Sequence, residues 1–192
     1  MSTLPESALP PHSQEVCPRC ATRPAPPPPT PQRARWEGSF GVRGALSLGA
    51  MPGVPLGAVT PFLRADGKEL FYSLGGKIHH ASGSVATGFA GGTRAAELDG
   101  SGLDNSPVLS RDGRTLYFAS NRTEGGSVGD TDIWVATRAT EGDPFGGLRN
   151  VTELNTGLGE LPAWLSPDGC RLYLARANAG GTYELHVAER AP

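Results

Sequence analysis

The feature that most constrains this chain is a segment that occurs three times. "PVLSRDGRTLYFAS" (Pro107–Ser120) returns as "AWLSPDGCRLYLAR" (Ala163–Arg176), with a looser copy "PFLRADGKELFYSL" (Pro61–Leu74). At their centres stand Asp66-Gly67, Asp112-Gly113 and Asp168-Gly169, spaced by 46 and 56 residues (66 to 112 to 168). Further along each unit "DIWVATR" (Asp132–Arg138) matches "ELHVAER" (Glu184–Arg190), with "KIHHAS" (Lys77–Ser82) as the poorer copy. Phe89 and Phe145 each precede the next Asp-Gly aspartate by 23 residues, with Glu97-Leu98 matching Glu153-Leu154, and Phe40-Gly41 is a looser third instance. A period of this size signals supersecondary units that bury their faces against one another.

Each unit reads as four short strands. Val108–Ser110 lead through an Asp-Gly turn into Leu116–Ser120, because Asp-Gly supplies the positive φ that a tight hairpin needs. A Gly-rich turn then leads into Asp132–Ala136, and a Gly- and Asn-rich loop into a fourth strand around Arg149–Leu154. Leu116-Tyr117-Phe118 and Ile133-Trp134-Val135 are apolar at every position, the pattern of strands covered on both faces, as in stacked small sheets.

Composition agrees with an all-β fold. The chain holds 27 Gly and 18 Pro in 192 residues, and these two are the poorest residues for helix interiors. Ten of the prolines fall in residues 1–31, including Pro26–Pro29. Residues 1–35 therefore read as a disordered, Pro-rich leader with polyproline II character, and residues 36–192 as three repeats. The leader lacks the charged start and apolar run of a signal peptide. Cys17 and Cys20 form a lone Cys-x-x-Cys with only His12 nearby, short of a zinc site, and Cys170 reads as a small strand residue rather than half of a disulfide. The formal charge of −2 gives no reason to expect nucleic acid as partner. No stretch approaches the roughly 18 apolar residues of a membrane-spanning helix.

Repeats of about 50 residues carrying "P-x-x-S-x-D-G-x-x-L-Y-F" and then "D-I-W-V" resemble the WD40-like, Pro-Asp type β-propeller repeat, as in TolB-type propeller domains and many bacterial envelope proteins. Asn105–Arg138 and Asp143–Arg176 match best. The first copy departs from the pattern, with Arg64-Ala65 before its Asp-Gly and His79 where Trp134 sits. The resemblance implies β-propeller-type repeats: three four-stranded blades, forming a partial propeller or half of a six-bladed ring. It also implies that the strand before each Asp-Gly is innermost. The chain then reads as an outer strand, two complete blades and a final blade ending after its third strand. Since propellers typically close with 4–8 blades, a homodimer is expected to complete the ring, each chain lending Phe40–Leu48 to the other's last blade.

The candidate chemistry is weighed residue by residue. Gly125–Gly129 satisfies G-x-S-x-G, but a nucleophile elbow needs a following helix and "DTDIW" reads as a strand, so a loop is expected. Asp66, Asp112 and Asp168 read as turn residues, not a carboxylate cluster. Asp130 and Asp132 form a D-x-D, yet the corresponding positions are Thr182 and Glu184, which argues against a cation site. Asp99–Asp104 reads as a polar loop. His79, Trp134 and His186 hold equivalent positions; one reading has them converge on one surface, and the favoured one has them packing between blades.

No catalytic constellation, cofactor or metal is expected. The leading expectation is a non-catalytic module that binds a protein or other polymer across the propeller face, with Phe62 and Trp164 near the channel mouth beside Ser106-Pro107 and Leu161-Pro162. His79, Trp134 and His186 are secondary candidates for binding. The resemblance suggests the periplasm or cell envelope. The alternatives are a propeller fragment of a prolyl-oligopeptidase-like hydrolase, and a degenerate remnant without independent function.

Overall fold

The computed structural model describes residues 55–84 and 86–190. The Pro-rich leader, Cys17, Cys20 and the Phe40–Leu48 strand lie outside these described residues. The described residues form eleven strands: β1 (Val59–Leu63), β2 (Glu69–Leu74), β3 (Lys77–Ser84), β4 (Gly88–Arg94), β5 (Asp104–Leu109), β6 (Thr115–Ser120), β7 (Asp132–Thr137), β8 (Gly146–Asn150), β9 (Glu160–Leu165), β10 (Arg171–Ala177) and β11 (Tyr183–Glu189). A short 3-10 turn, Ala96–Leu98, follows β4.

The strands make three antiparallel meanders, β1-β2-β3-β4, β5-β6-β7-β8 and β9-β10-β11. The fold is all-β, with three sheets of roughly blade size and four, four and three strands. Chain order equals spatial order because every connection is a hairpin. The first strand β5 of the middle sheet neighbours both β1 and β9, so the sheets stack side by side. Each of these strands carries a bulge near a proline: Pro61 within the shift between Val59 and Phe62, Pro107 between Asn105 and Val108, and Pro162 opposite Leu174 at the third shift. Proline has no N–H to give a ladder, so it is tolerated on edge strands and at bulges.

The three Asp-Gly hairpins share one geometry. Gly67, Gly113 and Gly169 have φ of +72°, +70° and +73°. Asp112 Oδ1 accepts from the Ser110 hydroxyl at 2.6 Å and from the Arg114 N–H at 3.2 Å. The Ser110 hydroxyl, more than the backbone donor, holds the Asp112 carboxyl below its ordinary pKa. A Cβ at Gly67 or Gly169 would meet no atom within 4 Å, so alanine there tests backbone conformation alone. Each substitution is expected to cost about 1–2 kcal/mol, read as a thermal midpoint lowered by several degrees.

The fourth strand of the second unit differs from expectation. It spans Gly146–Asn150, not Arg149–Leu154, because the Val151 N–H caps the Ile133 carbonyl at 3.0 Å and the chain then turns, with Leu154 N–H on the Val151 carbonyl. Cys170 also differs: it precedes β10, is buried and is disulfide-bonded.

Every strand alternates its side chains between two faces, and register makes the three sheets equivalent residue by residue. On one face Leu70, Leu116 and Leu172 correspond, as do the cross-strand pairs Tyr72–His79, Phe118–Trp134 and Leu174–His186. On the opposite face Phe71, Tyr117 and Tyr173 correspond. The second face of one sheet packs against the first face of the next. Phe71 and Ile78 of the first sheet meet Leu116, Phe118, Trp134 and Ala136 of the second. Val108, Tyr117, Ile133 and Val135 of the second meet Leu172 and Leu174 of the third. Leu70, Tyr72, Ala81 and Phe89 form a further buried cluster on the far face of the first sheet.

Polar staples cross the same junctions. Lys77 Nζ donates to the Gly100 and Gly102 carbonyls at 2.8 and 2.7 Å and lies 3.3 Å from Asp104. Arg138 reaches Glu69 at 3.2 Å, and its register equivalent Arg190 donates to the Tyr117 hydroxyl at 2.9 Å.

Candidate functional site: the uncovered face of the third sheet

The repeat equivalence singles out one surface. The face that is covered in the first and second sheets is open in the third. Ile78 and Ile133 are 1% and 0% exposed, whereas Leu185 at the same register position is 73% exposed. Val135 is 5% exposed and Val187 51%; Val108 is 2% exposed and Trp164 47%. Trp164 lies against Tyr173 across the β9–β10 pair, with ring centroids 5.4 Å apart. Tyr183 extends the surface at one end. At the other, Arg171 Nε donates to Glu189 at 2.7 Å, and that hydrogen bond raises the Arg171 pKa. The surface is therefore an aromatic and aliphatic strip on rigid strands, closed at one end by an ion pair. Contiguous, polar-rimmed apolar surface is a feature common to interaction sites.

The residues singled out in the sequence are distributed over all three sheets. Trp164 is on the open face. Phe62, its register equivalent, is half-buried between the sheets and touches both main core clusters. Trp134 is buried beneath the guanidinium of Arg122, 4.8 Å from its ring. His79 stacks on Tyr72 at 5.6 Å, and its Nδ1 is 3.1 Å from the Lys77 carbonyl. His186 is partly exposed, 3.8 Å from Glu184. The three rings thus sit one per sheet, each against neighbours of its own. The alternating apolar residues of "YELHVAE", with Tyr183, Leu185 and Val187 on one face, were the sequence signal for the rest of the strip.

Other polar clusters are structural. Ser127, in the G-x-S-x-G stretch, sits in the β6–β7 loop and donates to Asp132 Oδ2 at 3.1 Å. Asp132 also accepts from the Val128 and Gly129 amides and from Asn150 Nδ2. Its carboxylate is saturated by four donors that fold the loop. Asp112 and Asp168 line a shallow cleft of about 310 Å³ with Ser110, Arg111, Pro167 and Gly169, and both carboxylates are occupied within their own turns. Glu124 accepts from the Ser101 hydroxyl and amide, which lower its pKa to about 2. Among the described residues no helix is long and apolar enough to cross a membrane.

A scan against known protein families finds no family that matches this chain, and a search of curated proteins finds no match.

Proposed function

We propose that this chain is a non-catalytic β-repeat binding module whose contact surface is the open face of the third sheet. The observation that carries the reading is the exposure of Leu185, at a position buried in both other sheets as Ile78 and Ile133, with Val187 and Trp164 exposed where Val135 and Val108 of the second sheet are buried. Within the chain, that face always lies against an apolar sheet face, so a sheet of the same kind on a second copy is the partner it fits. Leu70, Tyr72 and Ala81, which a head-to-tail ring would use on the first sheet, are already buried. Two-fold pairing, face on face, is the arrangement this burial favours. The Asp-Gly hairpins and blade-sized sheets support the likeness to WD40-like propeller repeats, and with it a cell-envelope setting for the module.

The test is the solution mass of the full chain by light scattering after size exclusion. A dimer is expected, and Trp164→Arg, which places charge on an already exposed position, is expected to return it to monomer. A wild-type monomer at all concentrations, or a dimer indifferent to Trp164→Arg, would overturn the reading.

A further inference from the structure

Among the described residues, the third sheet has an open edge as well as an open face. Arg190 N–H bonds to the Cys170 carbonyl and Asn178 N–H to the Thr182 carbonyl, bracketing an uninterrupted β10–β11 register. Antiparallel ladders alternate, so Glu184, His186 and Ala188 exchange backbone bonds with β10, while Tyr183, Leu185, Val187 and Glu189 direct theirs outward. The equivalent outward carbonyls are occupied in the other sheets. Ile78 O accepts from Ala95 N–H at 2.9 Å, and Ile133 O from Val151 N–H at 3.0 Å. Beyond β11 the third sheet has no fourth strand among the described residues. Tyr183–Glu189 contains no proline, no lysine and no bulge to block pairing; its charged residues are Glu184 and Glu189.

The two fourth strands show what such an edge accepts. Phe89-Ala90-Gly91 and Phe145-Gly146-Gly147 open them alike: the phenylalanine is buried in each, and Gly91 and Gly147 have φ of +66° and +60°. Both strands cross a register shift, between His80 and Ser82 and between Val135 and Thr137. They end in polar residues, Arg94 opposite His79 and Asn150 opposite Trp134. We propose that the β11 edge is a strand-acceptor site for an extended Phe-x-Gly protein segment, which adds antiparallel with its polar end opposite His186. Backbone hydrogen bonds supply the affinity and the phenylalanine and glycine positions the selectivity. The site is the edge of the sheet, separate from its face, and stands whether or not the face binds.

The probe is a fluorescein-labelled synthetic peptide of residues 143–152, titrated with the full chain and followed by anisotropy. Saturable binding is expected. In the β7–β8 ladder the Arg149 and Val151 amides point at the acceptor strand and those of Leu148 and Asn150 point away. N-methylation at the first pair is therefore expected to weaken binding at least tenfold, and at the second pair to change it little. Val187→Pro removes one outward N–H without touching the β10 ladder and is expected to weaken binding similarly; Trp164→Arg is expected to leave it unchanged. Absence of saturation, or equal binding of the two N-methylated peptides, would overturn the proposal.

Discussion

Replacing Arg122 by alanine is expected to destabilise the fold by about 3–5 kcal/mol, the cost of stranding a buried charge. Arg122 is 2% exposed and ties three structural elements together. Its Nη2 lies 2.8 Å from Asp104 Oδ1 and donates to the Leu98 carbonyl at 2.8 Å, while Nε donates to the Ser120 hydroxyl at 3.0 Å. Its guanidinium also sits 5.3 Å from the Phe118 ring centroid and covers Trp134. Without it, the buried Asp104 carboxylate keeps the Lys77 ammonium at 3.3 Å but loses its closer partner. Urea unfolding followed by tryptophan fluorescence reads the loss. Asp104→Ala in the Arg122→Ala background should add much less than it does alone, since the two share one interaction. A loss below about 1 kcal/mol, the worth of an exposed pair, would show that this ion pair does not hold the β5–β6 end of the second sheet together.

Phe71→Ala is expected to cost about 3–5 kcal/mol through lost burial and the cavity left behind. Phe71 is fully buried, stacked on His80 at 5.7 Å and edge-on to Phe145 at 6.1 Å. The same substitution at Tyr173, its register equivalent, is expected to cost under about 1 kcal/mol in the monomer, because no further sheet among the described residues covers that face. Equal losses measured in the same urea titration would mean that the third sheet's face is covered in solution.

Much of the architecture was legible because the repeat writes the same local instructions three times. Asp-Gly with a preceding serine encodes the hairpins at Asp112 and Asp168, where the serine and aspartate side chains close the turn in the same way. Apolar residues at every position of Leu116–Phe118 and Ile133–Val135 announced strands covered on both sides, and these residues are all buried. The fourth strand has a weak local signal: Gly146–Asn150 is held by backbone pairing at the sheet edge and by few buried side chains. The disulfide at Cys170 is not legible locally, because it depends on which thiols meet in space.

What the residues determine locally is therefore the sheet: turn chemistry and strand alternation act over a few residues and repeat with the period. What the tertiary structure alone decides is which copy of an equivalent position is covered. Ile133 and Leu185 carry the same message, an aliphatic side chain on the second face of a third strand, yet one is buried and the other 73% exposed. The difference comes from whether another sheet stands beyond that face, a contact that no local pattern specifies. The same holds for Lys77 and Asp104, 27 residues apart in sequence, whose pairing depends on one sheet being laid against the next. Side-chain alternation is set by backbone geometry, and burial is set by neighbours.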